Sequence, residues 1–587
     1  MSPAVRSTPA MAGNLSSAMA ESPARAGLER LVRQAEGPAG VDFARAVVET
    51  VPRALPAEFR IDVRAMGDEF PARKLVADAC RSTAAALNGL GGIARATALP
   101  PNVYLSPSTD VLGECVTDAV LSQRDDYGRM PTAEPLYYIV SFSGPNVNKP
   151  LHLGHLRNNF LGMAVANLLA DKGHTVERQA PHCDWGIHIA QALLAWRKWG
   201  NGTTPESLGE KGDHFVGRHY VLFHQRATPA LEAEASGLMQ ALEDGDEGLL
   251  DENHRFTRWA DDGIQETYAR IGTRMDGVFY DKDYLDEGRR LIEDGLAAGR
   301  CRRRDDSSVF IDLSAHDLGE VTLVRRDGTP TVYRQWMAVN IARYPSRPVD
   351  RIRVVTGKEW EAGIRVLRET LRALGQEWAS CMEGVHYGLV VLPDGRMKSR
   401  QGSGVAADVL LDAVRDRLTT AWSKAEDAPA DAADLCEALG VGVLKHMFLA
   451  AKRSRDVVYS KQLLWGEAVP RFAAVIRALR EAEAPGTGPS CPGPSRFVES
   501  DRALALAIDR LPNVIDRAAA ELEPAHLVRH IDDIVAGARR TDAGPRLRAV
   551  TAVALRRSLA LLGIALPTSL HRLPPQFAEA CRPDSST

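Results

Sequence analysis

Residues 136 to 179 carry a strand, turn, helix and strand pattern that constrains most of what this 587-residue chain can fold into. Leu136-Tyr137-Tyr138-Ile139-Val140 is a short apolar, β-branched and aromatic run of the kind a buried strand uses. A Pro-containing turn, Gly144-Pro145-Asn146-Val147-Asn148-Lys149-Pro150, breaks it. From Leu153, apolar side chains recur at Leu156, Phe160, Met163 and Ala164 with helical spacing until Lys172-Gly173 supplies a stop. His174 to Gln179 then reads as the next strand, so the unit is βαβ. His152-Leu153-Gly154-His155 falls at the helix start, where free backbone N–H groups and the positive end of the helix dipole favour an anion.

His152 and His155 are three apart, so their rings share one face of the first turn and can donate to one phosphate group. Gly154 removes a side chain where a base or ribose would approach the backbone. An isolated His-x-x-His pair is more simply two surface histidines. The glycine between them, the strand before them and Lys149 alongside point instead to phosphate handling.

Strand-like and helix-like runs continue to alternate from 126 to 405, which predicts an α/β, doubly wound parallel sheet. Ile352-Arg353-Val354-Val355 and Gly388-Leu389-Val390-Val391-Leu392 are two further strands of it, and 200–300 is a polar helical insertion containing Trp259, Tyr268 and Tyr280. Residues 28–125, with Asn102-Val103-Tyr104-Leu105 as a strand, form a smaller N-terminal unit. Beyond 406 the spacing of Leu410, Leu411, Val414 and Leu418 predicts an all-α domain to 587, interrupted by a Pro- and Gly-rich linker at 484–494. The first 27 residues are rich in Ala, Ser, Pro and Gly, lack the apolar core of a secretory signal and read as a flexible tail.

Composition narrows the function classes. No apolar run approaches the roughly 18 residues of a membrane span, so no membrane partner is expected. Eight cysteines without a Cys-x-x-Cys pair fit neither a zinc ribbon nor a disulfide framework, and suit a reducing cytoplasm. His182, Cys183, Asp184 and His188 match no usual zinc spacing, and no metal ligands are assigned. A net charge of −4 gives no overall nucleic-acid footprint, leaving local basic runs at 300–304, 452–455 and 539–540 as candidate contacts.

A second motif follows the Gly388–Leu392 run. Pro393-Asp394-Gly395 makes a turn, and Arg396-Met397-Lys398-Ser399-Arg400-Gln401-Gly402-Ser403-Gly404 puts cations and backbone N–H groups on a Gly-rich loop able to close over a triphosphate. Together, Ser143-Gly144-Pro145-Asn146, Lys149-Pro150-Leu151-His152-Leu153-Gly154-His155-Leu156-Arg157 and this loop resemble the two signatures of class I aminoacyl-tRNA synthetases in their arginyl form.

The resemblance implies a Rossmann-type catalytic domain bearing the signature written HIGH, a small N-terminal α/β domain that touches the tRNA elbow, and an α-helical anticodon-binding-like domain. It implies ATP with Mg²⁺, an amino acid and tRNA as partners of a monomer. His152, His155, Lys149, Lys398 and Arg400 would be catalytic, with Lys149 replacing the lysine that the loop lacks at Ser399. Gly154, Asn146, Met397, Ser399 and Gly402 would hold ATP; Ser143, Asn146, Tyr333, Met337, Glu359 and Asp281 would face the amino acid. The family's helical aspartate, four residues after its tyrosine, falls on Met337 if that tyrosine is Tyr333.

A thioether cannot balance a guanidinium, and the stretch 534–548 has no aromatic residue for an anticodon base to stack on. Three readings are therefore open: an arginyl-type synthetase, a paralogue using another amino acid or a non-tRNA acceptor in specialised metabolism, and a non-catalytic binding protein.

Overall fold

The computed structural model describes residues 22–38, 41–51, 57–66, 73–343, 348–393, 405–423, 432–484, 497–567 and 570. The N-terminal domain is a four-stranded antiparallel sheet built from β1 (Val48–Thr50), β2 (Phe59–Asp62), β3 (Ile93–Leu99) and β4 (Asn102–Pro107), in the order β1-β2-β4-β3. Helices α1 (Pro23–Gln34), α2 (Arg73–Asn88) and α3 (Thr109–Gln123) belong to the same domain. The expected tail is therefore too long. Ser22 caps α1 by accepting from the Arg25 N–H, with Pro23 at the first helical position, so residues 23–27 are helical.

The central domain is the predicted parallel α/β sheet. Strands β5 (Tyr137–Ser141), β6 (Thr175–His182), β7 (Gly277–Tyr280), β11 (Arg351–Gly357) and β12 (Met382–Tyr387) lie in the order β12-β11-β5-β6-β7 with every neighbour parallel. Helix α4 (Leu153–Asp171) crosses from β5 to β6; it is buried on nearly all sides, because it packs on the sheet below and on the C-terminal helices above.

Between β6 and β7 come α5 (Ile187–Trp199), α6 (Pro205–Leu208), α7 (Gly212–Gln225), α8 (Pro229–Glu243) and α9 (Glu247–Ile271). The insertion is as helical as expected but ends earlier, since Tyr280 already lies in β7. Helix α10 (Leu285–Ala297) and a three-stranded antiparallel sheet of β8 (Arg302–Arg303), β9 (Val309–Asp312) and β10 (Glu320–Val324) follow. Helices α11 (Val332–Arg343) and α12 (Glu361–Ala373) flank β11 in sequence.

The strand read at Gly388–Leu392 is displaced. The fifth sheet strand is β12, and Val390–Val391 forms a short β13 paired in parallel with β14 (Val457–Val458), outside the main sheet.

Among the described residues, the regular elements of the C-terminal domain are helical apart from β14. It comprises α13 (Ala407–Ser423), α14 (Ala432–Ala450), α15 (Val469–Ala482), α16 (Arg502–Asp509), α17 (Leu511–Glu521), α18 (Ala525–Ala538) and α19 (Pro545–Leu561). Leu410, Leu411, Val414 and Leu418 are all buried, as their spacing predicts. No helix among the described residues is long and apolar enough to cross a membrane.

Candidate active site

In an open parallel sheet, ligands bind beyond the C-terminal strand ends where the connections change direction. Here the change falls between β5, whose chain moves on to β6, and β11 on its other side. A cleft of about 660 Å³ opens at that point, lined by residues ending β5, β6, β11 and β12 and by the start of α4.

The turn after β5 is held from beneath. Ser143 adopts the left-handed region (φ +55°), its N–H donates to Asn158 Oδ1 at 2.6 Å, and its hydroxyl shares a hydrogen bond with Tyr268 at 2.7 Å and accepts one from Asn159 Nδ2 at 2.7 Å. Tyr268 also meets His182, which meets Asp261, so a buried polar chain runs under the turn. Ser143 is thus fully buried and does not line the cleft, contrary to its expected contact with the amino acid. Asn146, Lys149 and Gly154 do line it. The Cys183 N–H donates to the Pro145 carbonyl and the Val147 N–H to the Cys183 carbonyl, both at 3.0 Å, pinning the turn to the end of β6.

The two histidines are set by the helix start itself. His152 is the N-cap of α4, and its Nδ1 accepts from the Gly154 N–H at 3.1 Å. His155 Nδ1 accepts from the His152 N–H at 3.1 Å. With each Nδ1 an acceptor, each neutral ring carries its proton on Nε2. The rings lie against each other, tilted by 34° with centroids 3.9 Å apart, and both line the cleft. Burial, reinforced by the nearby Lys149 ammonium, pushes His152 down to about 4; His155 also lies well below its usual value through burial, with His152 and Lys149 adding to it. Gly154 has a role beyond admitting a ligand: a Cβ there would stand 2.9 Å from His152 Cε1, so glycine lets the ring fold over the first turn.

Two residues that follow in α4 were not singled out as site residues. Asn158 lines the cleft and donates through Nδ2 to the Val355 carbonyl at 2.9 Å and to the Tyr387 hydroxyl at 3.1 Å, tying α4 to β11 and β12. Arg157, buried, donates to the carbonyls of Gly388, Leu389, Lys452, Arg453 and Arg455. The basic run 452–455 therefore turns its carbonyls to α4. The sequence signal was the polar triplet Arg157-Asn158-Asn159 inside an otherwise apolar helix.

Met397, Lys398, Ser399, Arg400 and Gly402 lie outside the described residues. The flanks of their segment do not. On one side β13 precedes it; on the other the Ala407 N–H donates to the Leu151 carbonyl at 2.7 Å, and Ala406 bridges to His152. The segment thus re-enters the fold beside the first histidine.

The far half of the cleft differs from the expectation. Helix α11 turns Val332, Gln335, Trp336, Val339, Asn340 and Arg343 toward it. Tyr333 and Met337 are absent from the lining and pack instead in the apolar core beneath α11, where Met337 is wholly buried. Asp281 and Glu359 do line the cleft. Burial, with the Asp184 carboxylate beside it, pushes Asp281 up to about 7, although a hydrogen bond with the Cys183 thiol and the Lys282 ammonium oppose this. Arg343 is buried and donates to Gln179 Oε1 at 2.9 Å and Ser141 Oγ at 2.7 Å.

His188, read only as part of a possible metal cluster, lines the cleft as a third ring, and burial pushes it down to about 4. Its Nε2 is buried without a hydrogen-bond partner among the described residues. The cluster itself disperses: His182 pairs with Asp261, Cys183 with Asp281 and Asp184 with Lys282. Elsewhere, ligand atoms of Asp213, His214 and Asp408 lie within 4.8 Å of one another, but the Lys211 ammonium contacts Asp213 at 3.2 Å and Asp408 at 2.7 Å, supplying the positive charge there.

Neutral paired histidines at a helix start over the switch point of a parallel sheet, with Ala406 and Ala407 held beside the first of them, define a class I aminoacyl-tRNA synthetase, an ATP-dependent ligase. Comparison with known proteins agrees. Residues 116–461 match the family model described as tRNA synthetases class I (R), catalytic domain. An arginine–tRNA ligase of Porphyromonas gingivalis is 32% identical over 486 residues, covering 75% of this chain and 81% of the relative. One of Treponema denticola is 33% identical over 451 residues, covering 74% and 76%. The arginyl-tRNA synthetase structure of Thermus thermophilus shares the fold with a TM-score of 0.67 at 21% identity, covering 92% of this chain and 99% of that one. The chain belongs to the arginyl family of class I aminoacyl-tRNA synthetases.

Proposed function

We propose that the chain activates an amino acid with ATP, forming an aminoacyl-adenylate and pyrophosphate, and then esterifies the aminoacyl group to tRNA in the manner of its arginyl relatives. The observation that carries this reading is the tautomer of the paired histidines: both Nδ1 atoms accept backbone N–H groups, so both Nε2–H groups are left to donate in one cleft.

The amino acid carboxylate attacks the α-phosphorus, and negative charge gathers on the non-bridging oxygens and the departing pyrophosphate. His152 and His155 donate to that charge while Lys149 offsets it, which is electrostatic catalysis by prepositioned groups. No protein nucleophile is needed. Lys398 and Arg400 extend the cationic surface over the triphosphate, with Met397, Ser399 and Gly402 as ATP contacts. ATP enters as its Mg²⁺ complex, the ion travelling on the phosphates. Asn146 and Gly154 border the nucleotide, and Asp281 and Glu359 the amino acid.

The N-terminal domain is assigned to the tRNA elbow and the helical domain to the anticodon arm, with the chain acting as a cytoplasmic monomer. The test is ATP/pyrophosphate exchange followed by charging of total tRNA. Exchange with charging supports the whole reading; exchange without charging removes the tRNA step alone.

A further inference from the structure

Helix α8 belongs to the insertion between β6 and β7 and lines none of the cleft, yet its last residue reaches two of the segments that shape it. Glu243 Oε1 accepts from Trp185 Nε1 at 2.8 Å, and Glu243 Oε2 accepts from the Arg334 guanidinium at 3.1 Å. Trp185 is buried and lines the cleft just after β6. Arg334 is buried on α11, one residue before Gln335, which also lines it.

The position costs α8 something, because a negative side chain at a helix C-terminus opposes the helix dipole. Its tertiary contacts account for it. Arg334 Nε is buried without a partner, and among the described residues the ion pair of this guanidinium is with Glu243. Without that carboxylate, a buried cation and a buried indole N–H would both lose their acceptor.

The segment held in this way is part of the cleft. Residues 183–188 contribute Cys183, Trp185 and His188 to the lining. The start of the segment is fixed by the backbone bonds of Cys183 to Pro145 and Val147 and by Asp184 against the Lys282 ammonium at 2.8 Å. Further along, the packing against α11 is close. The Trp185 carbonyl lies 3.5 Å from Gln335 Nε2, and a Cβ on Gly186 would stand 3.3 Å from His188 Cε1 and 3.7 Å from Gln335 Nε2. A shift of Trp185 relative to α11 is therefore felt at His188 and Gln335 together. Cys183 also hydrogen-bonds Asp281, which borders the amino acid in the reading above, so the segment lies on the amino acid side of the cleft.

We infer that Glu243 is a positioning residue for adenylation: its single carboxylate holds Trp185 and Arg334 at a fixed separation, so the helical insertion sets the width of the cleft between the end of β6 and α11. The inference rests on the adenylation reading and goes beyond it by giving the insertion a part in the shape of the site.

The test is ATP/pyrophosphate exchange by the full chain with total tRNA present, for the parent, Glu243→Ala and Glu243→Gln. ATP and the amino acid that gives the highest exchange are varied in turn. Glu243→Ala should raise KM for the amino acid about tenfold while KM for ATP stays within about twofold. Glu243→Gln keeps an oxygen able to accept from Trp185 Nε1, and should raise it only about threefold. A purely structural role would lower the melting temperature and leave KM for the amino acid unchanged, which would overturn the inference, as would an equal rise in both KM values. If Glu243→Ala does not fold, Glu243→Gln decides by the same split. No exchange by the parent with any amino acid would overturn the adenylation reading, and this inference with it; exchange by the parent with unaltered KM in both variants would overturn the inference alone.

Discussion

At the scale of single residues, the tautomers of His152 and His155 make separable predictions. Asparagine at 152 keeps an oxygen able to accept the Gly154 N–H at the N-cap, but loses the Nε2 donor. His152→Asn should therefore fold with an unchanged melting temperature while kcat for exchange falls about 10²- to 10³-fold. A comparable loss of melting temperature would mean that the ring is structural. Protons give a second check. His152 and His188 are held near 4 and His155 well below its usual value, so the stability that comes from keeping them neutral is complete above pH 6.5. It is lost as pH falls toward 4. Asp281, raised to about 7, works in the opposite sense, its contribution being complete below pH 3.8 and lost as pH rises through 7. Among these four groups the three histidines outweigh the one carboxyl, so their combined contribution falls on acidification from pH 7 to 5. Denaturant titrations should show it, with a shallower slope in His188→Gln.

Placement read from sequence wherever a side chain sat in a local motif: Lys149, His152 and His155 all line the cleft. Tyr333 and Met337 fall outside the lining because α11 is buried on several sides, Arg334, Met337, Ala338 and Asn340 alike, so no apolar stripe marked which face meets the cleft.

At the scale of elements, α4 carries the architecture. It bears the histidines at its start, ties β11 and β12 through Asn158, and draws together the segments before β13 and before β14 through Arg157. Arg157→Met keeps the buried stem but leaves several inward carbonyls without their donor. It should cost about 2–4 kcal/mol by denaturant titration and lower exchange activity, because the flank of the basic segment loosens with it. The βαβ pattern exposed β5, α4 and β6 to sequence reading: β5 as the continuous apolar run of a buried parallel strand, and β6 by its position after the helix stop at Lys172-Gly173. β12 escaped because it is an edge strand. Glu383, Gly384 and His386 interrupt its apolar pattern, so the more apolar Gly388–Leu392 drew the assignment one segment too far.

At the scale of the whole molecule, the N-terminal and helical domains are joined across almost the entire sequence. The Ser22 hydroxyl donates to Asp509 Oδ2 at 2.7 Å and the Ala24 N–H to Asp509 Oδ1 at 2.8 Å, while the Tyr127 hydroxyl donates to the Ile508 carbonyl at 3.0 Å. Asp509→Ala should uncouple the start of α1 at a cost of about 1–3 kcal/mol and speed proteolysis near residues 22–34, read by mass spectrometry of the fragments. This long-range closure had no local signature, and the Ala- and Pro-rich composition of the first residues masked the helix that depends on it. The central claim, that the cleft forms an adenylate, is tested most directly by ATP/pyrophosphate exchange on the full chain with all twenty amino acids and total tRNA present. Exchange dependent on one amino acid, and reduced at least about 100-fold in His152→Asn, is the expected result. Absence of exchange with every amino acid, or full exchange in that variant, would contradict it.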